Sequence, residues 1–108
     1  MYTWLVLVGA IATEVAGTSC LKLSDGFSRP GPSVAVVGFY ALSFVLLAYV
    51  LKSVDVGVAY AIWSGLGTAL VAAVGVLFFG EAVTLARLLS LCLIVMGVVG
   101  LQLTGSVD

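Results

Sequence analysis

Residues 56–80, VGVAYAIWSGLGTALVAAVGVLFFG, run for 25 residues between Asp55 and Glu81 without a charge. Crossing the hydrocarbon core takes about 20 mainly apolar residues in a helix. This segment is therefore long enough to span a bilayer by itself. The same reading extends outward in both directions. Between Arg29 and Lys52 lie 22 uncharged residues, and between Arg87 and Asp108 lie 20. The 21 residues before Lys22 form a fourth such run, interrupted once by Glu14. The expectation is an all-α integral membrane protein, a single transmembrane domain over residues 1–108. Its four helices are expected at Tyr2–Leu21, Ser33–Leu51, Val56–Phe79 and Leu85–Leu103.

Composition agrees. Apolar residues make up 63% of the 108 positions, 13 more are glycine, and charged residues reach only 8%. Soluble domains are about 25% charged, and nine charges could not cover the surface of a water-soluble fold of this length. A net charge of −1 lacks the basic face that phosphate neutralisation needs, so nucleic acid is excluded as a partner. With no His and two Cys, no zinc or haem site can be assembled, and neither metal nor cofactor is expected. Cys20 and Cys92 read as small buried apolar residues rather than a disulfide.

The first segment does not read as a secretory signal. Met1-Tyr2-Thr3-Trp4 has no basic side chain, and Glu14 falls within the apolar run. Tyr2 and Trp4 fit as aromatic anchors at the membrane interface. The connections are short. Lys22–Pro32 is rich in turn formers, Lys52–Asp55 is too small for a domain, and Gly80–Thr84 makes the last two spans an antiparallel hairpin. The end of the bundle with the first and third loops carries Lys22, Arg29 and Arg87, against Lys52 at the other. The positive-inside rule then puts those loops in the cytoplasm, with a bias small enough that insertion in both orientations is expected.

Glu14 breaks the pattern. It lies about 18 Å along the helix from Tyr2, too deep and too short-stemmed to reach the interface. A carboxyl at that depth costs about 2.5–3.5 kcal/mol on insertion scales, and such groups usually face a cavity or a partner. Two roles are open: a protonated interhelical hydrogen-bond donor, or a site that exchanges a proton for a cation. On the helical face around it stand Ala10, Gly17 and Thr18, small neighbours that leave room. Equivalent steps read Tyr40, Ser43, Phe44 and Leu47 on the second span, and Tyr60, Trp63, Ser64 and Gly67 on the third. The expected substrate contacts are Tyr40, Ser43, Phe44, Tyr60 and Trp63 with Trp4, Ala10, Gly17 and Thr18. Aromatic faces attract a desolvated organic cation, although aromatics in membrane helices also serve plain packing. Ala61, Gly65, Ala69 and Ala73 form a ridge for close helix contact, and Gly65-Leu66-Gly67 could let the third span bend. Leu93, Gly97, Gly100 and Thr104 form a narrow seam on the fourth.

These residues also carry a resemblance. The runs Ala12-Thr13-Glu14-Val15 with Gly17-Thr18, Lys22–Arg29 with Pro32-Ser33, and Ala59-Tyr60-Ala61-Ile62-Trp63-Ser64-Gly65-Leu66-Gly67 closely resemble the bacterial small multidrug resistance family nearly end to end. The family consists of four-helix drug/proton antiporters. The resemblance implies an antiparallel homodimer in the bacterial inner membrane, in contact with lipid, whose two Glu14 residues share one site. It implies proton-coupled export of organic cations by alternating access. Tyr40, Tyr60 and Trp63 would line the site, Gly65 and Gly67 a kink, and Leu93, Gly97 and Gly100 the dimer seam.

The family's guanidinium-exporting branch usually carries a Trp soon after the glutamate. Here the run is Ala16-Gly17-Thr18-Ser19-Cys20-Leu21-Lys22, similar to the quaternary ammonium branch. Trp4 departs from that branch, which usually has Tyr there; its face can still stack on a cation. The expected function is therefore proton-coupled efflux of lipophilic quaternary ammonium cations, with no enzymatic activity. Guanidinium export by the same fold, or a non-transporting subunit that docks a larger partner, are the alternatives.

Overall fold

Backbone amides in hydrocarbon have no water to bond, so each spanning segment must satisfy its own. In the computed structural model, which describes residues 2–104, the chain does so with four helices. They are α1 (Tyr2–Leu23), α2 (Pro30–Val50), α3 (Val56–Phe78) and α4 (Leu85–Thr104). At 20 to 23 residues each, they measure about 30–35 Å, the thickness of a bilayer core. All four are long and apolar enough to cross a membrane.

The helix ends differ from expectation where proline and lysine are concerned. α2 begins at Pro30, three residues before the expected Ser33. A proline in the first turn lacks an N–H that the helix would leave unbonded anyway. Ser33 then closes that turn, its N–H donating to the Arg29 carbonyl at 3.1 Å and its hydroxyl to the same oxygen at 2.5 Å. α1 runs on to Leu23, so Lys22 stands in its last turn, where a cation complements the exposed carbonyls.

The first connection thus shrinks to residues 24–29, wound around Ser24. That side chain is fully buried, and its hydroxyl donates to the Leu21 carbonyl at 2.7 Å while accepting from the Phe27 N–H at 3.1 Å. The Arg29 N–H reaches the Ser24 carbonyl at 3.1 Å. Asp25, Gly26 and Phe27 all adopt left-handed φ values (50°, 69° and 67°), which reverse the chain within six residues.

α1 packs along α2 and, less extensively, along α3, while α4 packs chiefly against α3. Leu7, Ile11, Val50, Val54, Ala59, Ile62 and Val98 form the buried apolar cluster. The helices make a slab of 42 × 34 × 18 Å. Its thin dimension is less than two helix diameters, so much of every helix faces outward. That outer surface is apolar, with Leu5, Val34, Leu77, Phe78 and Met96 all exposed, as a lipid-solvated chain requires. Cys20 is half-buried and Cys92 exposed, both free. The expected burial therefore fails for Cys92, which lies on the outer face of α4.

Candidate functional site

Glu14 is half-buried on α1, facing α3. Its place there depends on Gly67. A Cβ built on that glycine would lie 3.2 Å from Glu14 Oε2, so a larger residue would press on the carboxyl. Glu14 Oε1 accepts a hydrogen bond from the Thr18 hydroxyl one turn on, at 3.2 Å. Glu14 Oε2 is buried with no hydrogen-bond partner among the described residues. The side chain is therefore half satisfied, with one oxygen still able to bind a proton or cation.

Thr18 links this carboxyl to α2, because its Oγ1 lies 2.6 Å from the Tyr40 hydroxyl. Tyr40 can come so close because residue 17 is glycine. A Cβ there would sit 2.6 Å from two carbons of the Tyr40 ring. From Tyr40 a chain of rings leads across the bundle. Tyr40 and Phe44 stack with centroids 6.3 Å apart, Phe44 meets Trp63 edge-on at 6.1 Å, and Trp63 tilts against Tyr60 at 5.5 Å. Phe44 and Tyr60 keep more than half of their surface exposed, so the ring system has free faces. Trp63 Nε1 is likewise buried with no hydrogen-bond partner among the described residues.

The structure thus brings together Glu14, Thr18, Tyr40, Phe44, Trp63 and Tyr60, with Gly17 and Gly67 making room. Ser43 and Ala10 occupy a different position. Ser43 is fully buried and donates to the Ala10 carbonyl at 2.7 Å, a clamp between α2 and α1. Trp4 packs against the apolar cluster, which Trp63 also flanks. Gly65 serves α4, for a Cβ there would lie 2.6 Å from Val98 Cγ2 and 3.4 Å from Ile94 Cγ2. α3 runs as unbroken helix through Gly65 and Gly67. Leu93, Gly97 and Gly100 lie on the exposed side of α4, and a Cβ built on either glycine would meet no other element within 4 Å among the described residues. Thr104's side chain lies outside the described residues.

Two features near the loop-three end escaped the sequence reading. Gly80, at φ 67°, turns the chain after α3 so that the Glu81 N–H donates to the Gly75 carbonyl at 3.0 Å. The Glu81 carboxyl then lies directly over Gly75, where a Cβ would be 2.6 Å from its Cδ. The glycine after the helix was a legible stop signal, but nothing in the spacing shows the carboxyl folding back. A hollow of about 600 Å³ also opens between the second half of α3 and the first half of α4, lined by Ala69, Ala73, Val76 and Leu91 and not by Glu14.

Four apolar spans, the first carrying the half-buried Glu14, define a multi-pass membrane protein. Residues 2–94 match the Small Multidrug Resistance protein model, and the chain belongs to that family of efflux transporters. It is 50% identical over 100 residues to the nicotine metabolites export pump subunit NepA of Paenarthrobacter nicotinovorans, covering 93% of this chain and 86% of that one. It is 47% identical over 103 residues to the quaternary ammonium compound-resistance protein QacE of Escherichia coli, covering 95% and 94%. A guanidinium exporter of Yersinia pseudotuberculosis is 46% identical over 100 residues, covering 93% and 96%.

Proposed function

We propose that this chain acts as an antiparallel homodimer exporting lipophilic quaternary ammonium cations in exchange for protons. The observation that carries this reading is the unpartnered, buried Oε2 of Glu14, joined through Thr18 and Tyr40 to a chain of open aromatic faces. A carboxylate attracts the cation's charge, and ring faces attract it again once water is excluded. Binding of the cation releases the proton held by the carboxyl into water, and reprotonation releases the cation. Competition for one pair of Glu14 groups couples the two flows. The subunits exchange conformations to alternate the open side, and an external excess of protons drives the exchange outward.

Guanidinium export is the second reading, favoured by a relative of that name as similar as QacE. Guanidinium is planar and donates several hydrogen bonds, so it gains most from carboxylates and hydroxyls. Four linked rings with two exposed members suit a bulky, hydrogen-bond-free cation better. Proton release from purified protein on adding tetraphenylphosphonium, and separately guanidinium, tests both. Release with tetraphenylphosphonium, lost in Glu14→Gln, is expected. Release with guanidinium alone would replace the first reading by the second. No release with either, in folded dimeric protein, would point to a subunit that does not transport.

A further inference from the structure

Between the second halves of α1 and α3 lies a cleft of about 180 Å³ that the site above does not use. One end is Thr18, the residue that donates to Glu14. The other end carries Lys22, Phe79 and Glu81, at the termini of both helices. Ser19 of α1 and Val71, Val74 and Gly75 of α3 lie along the walls. A hollow of this size holds several waters if polar partners are at hand, since one water needs only about 10–15 Å³ of probe volume and two to four partners. Those partners are present. The Thr18 and Ser19 hydroxyls spend their protons on Glu14 Oε1 and the Val15 carbonyl; Tyr40 takes one lone pair of Thr18, which leaves Thr18 one further acceptor position and Ser19 its own. Lys22 donates and Glu81 accepts at the outer end.

The placement of Glu81 is specific. Its carboxyl rests on buried Gly75, held by the Glu81 N–H on the Gly75 carbonyl and by the turn at Gly80. Arg87 stands 3.9 Å away on the other flank, an exposed pair of little energetic consequence. Glu81 is thus a seated carboxyl at the outer end of a cleft whose walls are mostly apolar, with hydroxyls along α1 and an inner end that touches the donor of Glu14.

We propose that this cleft is a water-filled path by which protons reach Glu14 from the end of the bundle that carries loops one and three, with Glu81 on Gly75 as the residue that gathers them. The path rests on the exchange reading above and adds an entry route within one chain. A proton arrives from bulk water at the mouth, passes along ordered waters and reaches the carboxyl beside Thr18. A proton released by an incoming cation leaves by the same waters. A fixed carboxylate at a narrow mouth raises the local cation concentration and hence the rate of supply, without altering the equilibrium at the inner site.

The test uses the full chain reconstituted in liposomes, driven by a proton gradient, with tetraphenylphosphonium as the probe. Glu81→Gln should slow initial uptake by roughly threefold to tenfold, the low end of electrostatic focusing, and leave the equilibrium Kd for tetraphenylphosphonium in detergent unchanged. Gly75→Ala, which pushes the same carboxyl off its seat, should slow uptake in the same way. Arg87→Gln should not slow it. In a Cys20→Ala, Cys92→Ala background, Ser19→Cys should react with a charged, membrane-impermeant thiol reagent, and the adduct should slow uptake. Uptake at the unaltered rate in Glu81→Gln, or a Ser19→Cys thiol that the reagent does not reach, overturns the path. Should the unaltered protein take up no tetraphenylphosphonium, the exchange reading fails instead, and thiol reactivity alone decides whether the cleft admits water.

Discussion

The Tyr40 hydroxyl lies 2.6 Å from Thr18 Oγ1, and the Thr18 hydroxyl donates to Glu14 Oε1 at 3.2 Å. A threonine hydroxyl has one proton. With that proton on the carboxyl, Tyr40 must be the donor into Thr18, so the order runs from ring to hydroxyl to carboxyl. Tyr40→Phe removes one link of a chain that holds the carboxyl in place. We expect the affinity for tetraphenylphosphonium to fall about twofold to tenfold, the worth of one ordinary hydrogen bond. Thr18→Val, which strands both Tyr40 and Glu14 Oε1, should cost more. Titration calorimetry in detergent gives both values, and equal affinities for Tyr40→Phe and the unaltered protein would show that the relay does not hold Glu14 for binding.

Trp63 stands in the ring chain with its indole N–H buried and without a partner among the described residues. Trp63→Ala should weaken tetraphenylphosphonium binding by roughly tenfold, within the range of a desolvated cation–π contact. Trp63→Phe keeps a ring, removes the orphaned donor and should recover most of that loss. Guanidinium binding, which depends less on ring faces, should change less in both variants. A loss of equal size for both cations would argue against a stacking role.

Ser43 was expected to touch the substrate, and the structure spends its hydroxyl on the Ala10 carbonyl inside the α1–α2 contact. That carbonyl also accepts from Thr13 at 3.0 Å, so Ser43→Ala leaves it satisfied. The cost should be small, about 1 kcal/mol of stability against denaturing detergent, in line with interhelical hydrogen bonds in membranes. Tetraphenylphosphonium affinity should stay the same. An affinity loss at unchanged stability would return Ser43 to the binding site.

Gly65 and Gly97 look alike in sequence and differ in what they face. Gly65 sits beneath Val98, and Gly97 has open space. Gly65→Ala should destabilise the chain by about 1 kcal/mol, and Val98→Ala should offset the crowding in a double-mutant cycle. Gly97→Leu should leave the single chain's packing intact and disrupt the homodimer we propose, read as loss of inter-subunit cross-linking through α4. Unimpaired cross-linking in Gly97→Leu would place the contact elsewhere.

The spans were legible because charge in a bilayer is costly, so that all but Glu14 is kept near the ends. Lys52 follows α2 by two residues, Asp55 directly precedes α3, Glu81 follows α3 by three, and Arg87 stands in the first turn of α4. The start of α2 was not, since Pro30 and Pro32 break a helix interior and fit a first turn equally well, and sequence alone does not separate the two. The aromatic face was legible from steps of three and four, which predicted that Tyr40 and Phe44 would share one side of α2. What each glycine admits was hidden, because it depends on a neighbour from another helix: Tyr40 over Gly17, Val98 over Gly65, Glu14 against Gly67, Glu81 over Gly75. The Ser43 bond to Ala10 was hidden for the same reason, as nothing near Ser43 in the chain announces Ala10.

The slab-like packing, with α4 joined chiefly to α3, separates two kinds of evolutionary freedom. The residues around Glu14 come from the first three helices, whereas the outward face of α4 touches none of them. In the homodimer we propose, with its seam on α4, a lineage could rewrite that face, and with it which copy or paralogue it pairs with, without retuning the chamber. It could equally retune the chamber while keeping its old companion. Gene duplication would then need to change only a single helix to turn a self-pairing chain into one that pairs with its sister.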